Sequence, residues 1–298
     1  MSRKPSAVSG ILLLDKPTGM TSTAALSRAK RCLDERKAGH TGALDPMATG
    51  LLPLCFGEAT KISAFLLDAD KAYEAELLLG VRTRSGDADG EVCSNAPVPQ
   101  ITAAGLEPIL ERFRGPILQV PPMVSALKHQ GKRLHQLARA GIEIERPPRP
   151  VRIDRLELLA LELPRARIRV ECSKGTYIRS LAMDIGELLG CGAHLTALRR
   201  TRSGPFTLSD AHTLEHLQDL SIEQARGLLL PPDAALPEWL PVALEPAQAA
   251  EVAQGRPVSL GLAAAAGVRM YCEGRFLGLG RIDPDGMLKV RRLFHMPA

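Results

Sequence analysis

The stretch Gly39-His40-Thr41-Gly42-Ala43-Leu44-Asp45-Pro46-Met47-Ala48-Thr49-Gly50 constrains the fold more than any other part of the chain. Its glycines and its proline favour a bent, tightly specified backbone rather than a helix or a strand. The apolar run 51–56 follows directly, so we expect the loop to be anchored on buried structure. Asp45 lies in its middle, and an isolated acid on a rigid loop suits a nucleophile or a general base.

Spacing alone leaves two interpretations of Asp45 open. Asp followed by Pro is also typical of a helix start, with Asp45 as the N-cap and Pro46 at the first helical position. The glycines do not form a phosphate-binding loop, because no Gly-Lys-Ser/Thr follows them. Asp45 is therefore either a helix cap or a catalytic carboxylate.

Charge is unevenly distributed along the 298 residues. The net charge is +5, but the segment 128–202 holds sixteen Lys and Arg residues against eight Asp and Glu residues. A basic segment on a slightly acidic remainder is typical of a protein that binds a polyanion. A merely solvated charged face would give the same pattern. The length predicts one large domain with a smaller one.

The six cysteines are scattered and form no Cys-x-x-Cys pair, which argues against a zinc ribbon and against a disulfide framework. The apolar run at 11–14 is too short for a secretory signal, and no run reaches the length of a membrane span. We therefore expect a cytoplasmic protein that does not contact a membrane.

Periodicity predicts a mixture of strands and helices. Residues 71–77 alternate so that Tyr73, Ala75 and Leu77 share one face of a strand, where a tyrosine is usually a core or cross-strand residue. The further predicted elements are strands at 10–14, 151–159 and 165–172, and helices at 21–35 (capped by Ser22 or Thr23), 58–67 and 102–113. After a Pro-rich linker at 231–241, a C-terminal unit is predicted, with a helix at 246–254 and strands at 268–272, 275–281 and 288–293.

A second candidate site lies in the segment 173–181, which predicts a strand-to-helix junction. Lys174, Arg179, Tyr177 and the free backbone N–H groups of a helix start would suit an anion or a carboxylate. A basic helix N-terminus with a half-buried tyrosine explains the same pattern.

One apparent metal motif is present. His212-Thr213-Leu214-Glu215-His216 has the spacing of inverted zinc peptidases. That chemistry needs both histidines on one helical face, whereas Thr213 is a good N-cap and would leave His212 outside the helix. Asp87 and Asp89 similarly lack the remaining ligands of a metal loop. We expect no metal at either place.

The stretch 39–50 resembles the catalytic motif of the bacterial tRNA pseudouridine-55 synthases, the TruB-type family. Further matching motifs are Lys16-Pro17-Thr18-Gly19-Met20-Thr21-Ser22, Lys71-Ala72-Tyr73, Lys174-Gly175-Thr176-Tyr177-Ile178-Arg179 and the segment 190–200. The resemblance is strong over residues 9–230 and looser beyond. It implies an α+β pseudouridine synthase fold, in which helices and loops flank a mixed, mainly antiparallel central sheet, with a small C-terminal PUA-like β-barrel.

The resemblance also implies roles for single residues. Asp45 is expected to be the catalytic carboxylate, with Arg179 paired to it, and Tyr73 is expected to stack on the target base and to be a candidate for moving a proton. Four further residues are expected to contact the substrate or to wall its pocket: His40, Tyr177, Leu198 and Lys16. Whether Asp45 attacks the sugar or the base, or removes a ribose proton, stays open at this point.

The implied reaction is the isomerisation of uridine 55 in the T arm of tRNA, by base flipping, cleavage of the glycosidic bond and joining of C5 to C1′. It requires no cofactor and no metal. The implied domains are a catalytic domain at 1–235, with an RNA-binding insertion at about 119–150, and a PUA-like RNA-binding domain at 240–298. We expect a monomer that binds the T-arm stem-loop without an obligate protein partner. The chain departs from many relatives at His135, where they have tyrosine.

Two alternatives of other kinds remain. One is a non-catalytic protein of the same fold that binds or folds tRNA, and the other is a pseudouridine synthase that acts on another RNA. The set Asp45, Tyr73 and Arg179 argues against the first, because binding an anionic ligand requires no carboxylate.

Overall fold

The computed structural model describes residues 8–125, 127–129 and 131–296. The side chain of His135, the position at which the family often has tyrosine, lies outside the described side chains. No helix in the described part of the chain is both long and apolar enough to cross a membrane.

The strands and helices alternate irregularly along the chain, as in an α+β protein. The strands are β1 (Gly10–Lys16), β2 (Ala38–His40), β3 (Thr49–Phe56), β4 (Lys71–Leu79), β5 (Val81–Thr83), β6 (Val92–Asn95), β7 (Gly115–Gln119), β8 (Lys128–His129), β9 (Lys132–Arg133), β10 (Arg149–Glu162), β11 (Arg165–Cys172), β12 (Ala193–Ser203), β13 (Phe206–Thr207), β14 (His212–Thr213), β15 (Leu240–Ala243), β16 (Val258–Ser259), β17 (Ala265–Cys272), β18 (Arg275–Ile282) and β19 (Met287–Leu293). The helices are α1 (Ser22–Cys32), α2 (Ser63–Asp68), α3 (Ala103–Glu111), α4 (Leu134–Arg139), α5 (Ile178–Leu188), α6 (Leu214–Asp219), α7 (Ile222–Gly227) and α8 (Pro246–Ala253). Short 3₁₀ helices lie at Gly57–Ile62, Leu208–Asp210 and Pro232–Ala235.

A large mixed sheet carries the motifs. Among the described residues its strand order is β14-β1-β3-β12-β4-β11-β10-β7, with β2 added to β3 and β13 to β12. Most neighbouring strands are antiparallel, whereas β3 runs parallel to β12. The predicted mixed, mainly antiparallel sheet is therefore confirmed, and so is the strand at 165–172, whose even-numbered residues are buried and whose arginines are exposed or half-buried.

Strands β1 and β3 are buried on both faces, which explains the unbroken apolar run of β1. Leu12 and Leu14 join the main core with α1, α3 and α5. Ile11 and Leu13 point to the opposite face and enter a second core. The sheet is thus the middle layer of the molecule.

The second core also contains residues of the C-terminal unit, a five-stranded sheet in the order β15-β17-β18-β19-β16. Leu279 of β18 and Phe294, just after β19, are buried there. The stretch predicted as a Pro-rich linker is in fact packed structure, because Trp239 lies edge-on to Phe65 with 5.2 Å between ring centroids. The stretch still connects the large sheet to the C-terminal unit, and apolar side chains between its prolines pack into the second core.

The start of α1 differs from the prediction. The N-cap is Thr21, whose hydroxyl accepts a hydrogen bond from Ala24 N at 3.1 Å, rather than Ser22 or Thr23. The hydroxyl of Ser22 is instead buried and accepts a hydrogen bond from Leu44 N at 2.7 Å. The helix start is thereby attached to the loop that carries Asp45.

Candidate active site

Asp45 lies on an irregular loop and does not begin a helix. Pro46 and Met47 form a turn, and the chain then enters β3 at Thr49. The helix-cap interpretation is therefore wrong. The backbone requires a glycine at position 50. Its φ is +99°, and a Cβ there would lie 2.4 Å from the carbonyl oxygen of Arg200.

Lys16, at the end of β1, holds the loop that carries Asp45. The Lys16 side chain is fully buried. Its Nζ donates to three carbonyl oxygens, those of Pro17 (2.9 Å), Met20 (2.7 Å) and Pro46 (3.3 Å). Burial lowers the pKa of Lys16 to about 8, although the Asp45 carboxylate opposes this shift. Because its donors are used within the protein, Lys16 supports the loop next to Asp45.

The Asp45 carboxylate is paired with Arg179, from the first turn of α5. Arg179 Nε lies 2.9 Å from Asp45 Oδ2, and Nη2 donates to Oδ1 at 3.3 Å. Burial raises the pKa of Asp45 above its ordinary value, Arg179 lowers it, and the nearby Asp87 and Asp89 raise it again. The pair thus holds the carboxylate in a fixed direction at a partly desolvated place.

Arg179 is itself fixed by contacts on its other side. Its Nη1 lies 3.5 Å from Asp87 Oδ2 and donates to Ser85 O at 3.1 Å, while its Nη2 also donates to Val124 O at 2.7 Å. Asp87 is buried. A buried arginine between two carboxylates, one buried and one accessible, forms a continuous network.

Tyr73 and Leu198 are diagonal neighbours on two adjacent strands. Tyr73 of β4 is opposite Arg200 of β12, and Ala75 is opposite Leu198. Tyr73, Ala75 and Leu198 therefore share the face that carries the main core, as predicted for Tyr73 and Ala75. Burial raises the pKa of the Tyr73 hydroxyl, and the Arg200 guanidinium lowers it.

Tyr177 lies at the N-cap of α5, next to Arg179. Its backbone N–H donates to Gln119 Oε1 at 2.7 Å, and its carbonyl oxygen accepts from Gln119 Nε2 at 3.0 Å. This N–H group is therefore used within the protein, while Arg179 of the same segment binds the Asp45 carboxylate. Burial raises the pKa of the half-buried Tyr177 hydroxyl, while a hydrogen bond with Ser125 lowers it.

His40 is the last residue of β2 and is half-buried. It is paired with Leu54 of β3, and the following Thr41 N donates to Pro53 O at 3.1 Å. His40 thus lies at the entrance to the loop whose middle carries Asp45.

Sequence reasoning missed three residues of this region: Asp87, Gln119 and Arg200. Asp87 was considered only as a metal ligand. Its buried pairing with Arg179 could not be predicted from local spacing, because the two residues are far apart in the chain. Arg200 lies in the matched segment 190–200, where only Leu198 was singled out. Two adjacent arginines on an alternating strand must face opposite sides, and that signal would have placed one of them inside.

The apparent metal motif is organised differently. Thr213 is the N-cap of α6, as predicted, since its hydroxyl accepts from His216 N at 3.1 Å. The His212 and His216 rings stack with 5.5 Å between centroids. Within the described residues, no group of three or more His, Cys, Asp or Glu side chains could hold a metal ion.

Much of the basic charge in the segment 128–202 lies in ion pairs on the outer face of the large sheet. Arg165 and Arg169 of β11 pair across to Glu76 and Glu74 of β4, with 2.9 Å between Arg169 Nη2 and Glu74 Oε1. Arg202 and Arg155 both pair with Glu171. This outer face is therefore largely neutralised.

Three family models match consecutive parts of the chain. They are described as "TruB family pseudouridylate synthase (N terminal domain)" at residues 30–178, "tRNA pseudouridylate synthase B C-terminal domain" at 179–237, and "Pseudouridine synthase II TruB, C-terminal" at 241–294.

Similar proteins match over nearly the full length. The tRNA pseudouridine synthase B of Aromatoleum aromaticum is 56% identical over 286 residues, which cover 96% of this chain and 92% of that protein. The protein of the same name from Thiobacillus denitrificans is 53% identical and covers 96% of both chains.

Solved structures show the same fold. A chain in the crystal structure of a Cbf5-Nop10-Gar1 complex superposes with a TM-score of 0.71 at 28% identity, covering 96% of this chain and 85% of that chain. A chain in a structure of an H/ACA RNP bound to a substrate RNA containing 2'-deoxyuridine superposes with a TM-score of 0.70 at 26% identity, covering 97% and 85%.

Proposed function

The chain belongs to the TruB family of pseudouridylate synthases, and on that premise we propose that it isomerises uridine 55 in the T arm of tRNA to pseudouridine. The names of its relatives supply the tRNA substrate. The observation that carries the proposal is the accessible Asp45 carboxylate, held at 2.9 Å by a buried arginine.

A uridine within a folded RNA loop must leave its stack before a side chain can reach it, at a cost on the order of a few kcal/mol. Tyr73 then stacks on the extruded uracil, and Leu198 and Tyr177 wall the pocket. His40 contacts the flipped nucleotide at the entrance of the loop.

Asp45 acts on the extruded nucleoside, so that the N1–C1′ bond breaks, the uracil turns, and C5 joins C1′. The proton that C5 loses passes to water, and N1 carries a proton in the product. Arg179 keeps Asp45 ionised and oriented. Lys16 holds the loop by its carbonyl oxygens and, being fully buried, does not contact RNA.

The insertion at about 119–150 and the PUA-like unit at 240–298 hold the rest of the stem-loop through its phosphates and its shape. Binding should accordingly weaken steeply as salt is added.

The test uses a T-arm hairpin that carries tritium on uridine C5. The protein should release tritium to water, and Asp45→Asn should release none while still binding the hairpin. Asp89→Asn, which changes an exposed carboxylate nearby, is the matched control and should keep its activity. Hairpin binding without tritium release would favour the non-catalytic alternative, and full activity of Asp45→Asn would refute the role of Asp45.

A further inference from the structure

We propose that Arg200 is an additional positioning residue of this site, one that holds the Tyr73 phenol and the Asp45 loop in one fixed arrangement. The proposal rests on the proposed function, because it concerns the same reaction. The proposal adds Arg200 to the Asp45–Arg179 pair.

Arg200 is a buried cation that has no acidic partner among the described residues. Its side chain is among the largest fully buried ones, with 1% exposure of the residue. No ion pair in the described part of the chain includes it, whereas Arg199 pairs with Asp15 at 2.7 Å and Arg202 pairs with Glu171 at 2.8 Å. Burying an unpaired charge is costly, so the site must provide other acceptors.

The acceptors are two backbone carbonyl oxygens, one within the loop that carries Asp45 and one on β3, just after the loop joins the sheet. Arg200 Nε donates to Leu51 O at 2.7 Å, and Nη2 donates to Gly42 O at 3.1 Å. Gly42 lies three residues before Asp45, and Lys16 binds Pro46 O one residue after it. Two buried cations therefore hold the loop on either side of its carboxylate.

The sheet register explains how Arg200 reaches both the loop and Tyr73. Lys16, Gly50, Arg200 and Tyr73 are consecutive partners across β1, β3, β12 and β4. Partners in a sheet project to the same face. A Cβ at Gly50 would lie 2.4 Å from the carbonyl oxygen of Arg200, so glycine allows the backbones of β3 and β12 to approach closely at this pair, and a Cβ at Gly42 would lie 3.5 Å from Arg200 Nη1.

On its other side Arg200 is the direct cross-strand partner of Tyr73. Neighbouring side chains of such a pair lie close enough to interact. The positive charge lowers the pKa of the Tyr73 hydroxyl, which burial raises. Arg200 thus fixes the direction of the phenol relative to the loop that bears Asp45.

The test combines kinetics with a signal from Tyr73 itself. The chain has three tyrosines, so protein labelled with 3-fluorotyrosine gives three ¹⁹F NMR signals, assigned with Tyr73→Phe. In Arg200→Met we expect the Tyr73 signal to move and to titrate at higher pH, with the Tyr177 and Tyr271 signals unchanged. The kcat for the hairpin should fall about tenfold or more, with KM within about twofold, because orientation and not binding is lost.

Two further variants keep the proposal testable if Arg200→Met does not fold. Arg200→Lys keeps the charge but loses the planar fork, so kcat should fall while the Tyr73 titration stays close to that of the unchanged protein. Arg199→Met, which changes the neighbouring arginine on the opposite face, should alter neither. An unmoved Tyr73 signal with unchanged kcat in Arg200→Met and Arg200→Lys would overturn the proposal. If the unchanged protein releases no tritium, the proposed function fails, and the ¹⁹F titration still decides whether Arg200 fixes Tyr73.

Discussion

Arg179 and Asp45 form an asymmetric pair: the arginine side chain is 4% exposed, and the carboxylate it binds at 2.9 Å is 36% exposed. The cation is enclosed by protein contacts, while the acid faces the space in front of the sheet. In an ion pair with a purely structural role, the two side chains can be equally buried or equally exposed to solvent. This arrangement leaves only the acid able to meet another molecule.

Replacing Arg179 by Met should lower kcat by at least about tenfold, because the carboxylate loses its orientation and its compensating charge. Arg179 lowers the pKa of Asp45 against the effect of burial, so its removal raises that pKa. The ionised fraction at a given pH then falls, and the acidic limb of the kcat profile moves to higher pH. Tritium release measured across pH checks this. Arg202→Met, which breaks the pair with Glu171, is the control and should leave the limb in place.

Asp87→Asn should lower kcat by roughly tenfold, equivalent to ~1.4 kcal/mol, with little change in KM. Asp87 reaches Arg179 on the side away from Asp45, so its loss allows the guanidinium to shift. The exposed Asp89 is the matched position, and Asp89→Asn should keep kcat within about twofold. Equal effects of the two substitutions would contradict a specific role for the Asp87–Arg179 contact.

Glu58 links the large sheet to the C-terminal unit. Burial alone would raise its pKa, but hydrogen bonds from Lys61, Lys37 and His295 N lower it to about 2, from 4.5. A carboxyl whose pKa is lower in the folded state stabilises the protein above its unfolded-state pKa, and this is lost as pH falls through the folded-state value.

Glu58→Gln should therefore reduce the free energy of unfolding by about 1 kcal/mol at pH 7, and the difference should shrink as pH falls from 4.5 towards 2. Urea unfolding at several pH values measures it. The exposed Glu238, changed to Gln, is the control and should alter the free energy of unfolding by no more than about 0.5 kcal/mol at pH 7, and a constant deficit for Glu58→Gln would refute the linkage.

Gly267→Ala should destabilise the junction of the two sheets by about 1–3 kcal/mol, because the new Cβ would lie 2.4 Å from the Trp239 ring. The chain has one tryptophan, so a shift of its fluorescence emission reports the disturbance directly. Gly227→Ala is the control, since nothing lies within 4 Å of its Cβ. Unaltered emission and stability in Gly267→Ala would mean that the ring moves aside without cost.

Local sequence patterns predicted the elements that local forces determine. The alternation of β11, the strand around Tyr73 and the cap of α6 at Thr213 all follow from spacing within a few residues. The cap of α1 was misplaced by one or two residues, because the Ser22 hydroxyl is used by Leu44, which is distant in sequence.

Only part of the site was predicted, because only some of its residues belong to local motifs. Family resemblance supplied Asp45, Arg179 and Tyr73, which lie in recognisable motifs. Asp87 and Arg200 contribute through contacts between distant segments and through sheet register, which no local pattern encodes. The Pro-rich stretch before β15 was predicted as a linker from its turn residues, and its packing into the second core depends on strands that are remote in sequence.

The second core has a practical consequence for anyone who shortens this protein. Ile11 and Leu13 lie on the strand that ends in Lys16, and they share their apolar cluster with Leu279 and Phe294. A fragment cut before residue 240 would present that strand to solvent along one side. Such a fragment should aggregate or lose tertiary packing. Its loss of activity would then reflect the disrupted strand that supports the Asp45 loop as much as the missing contacts to RNA.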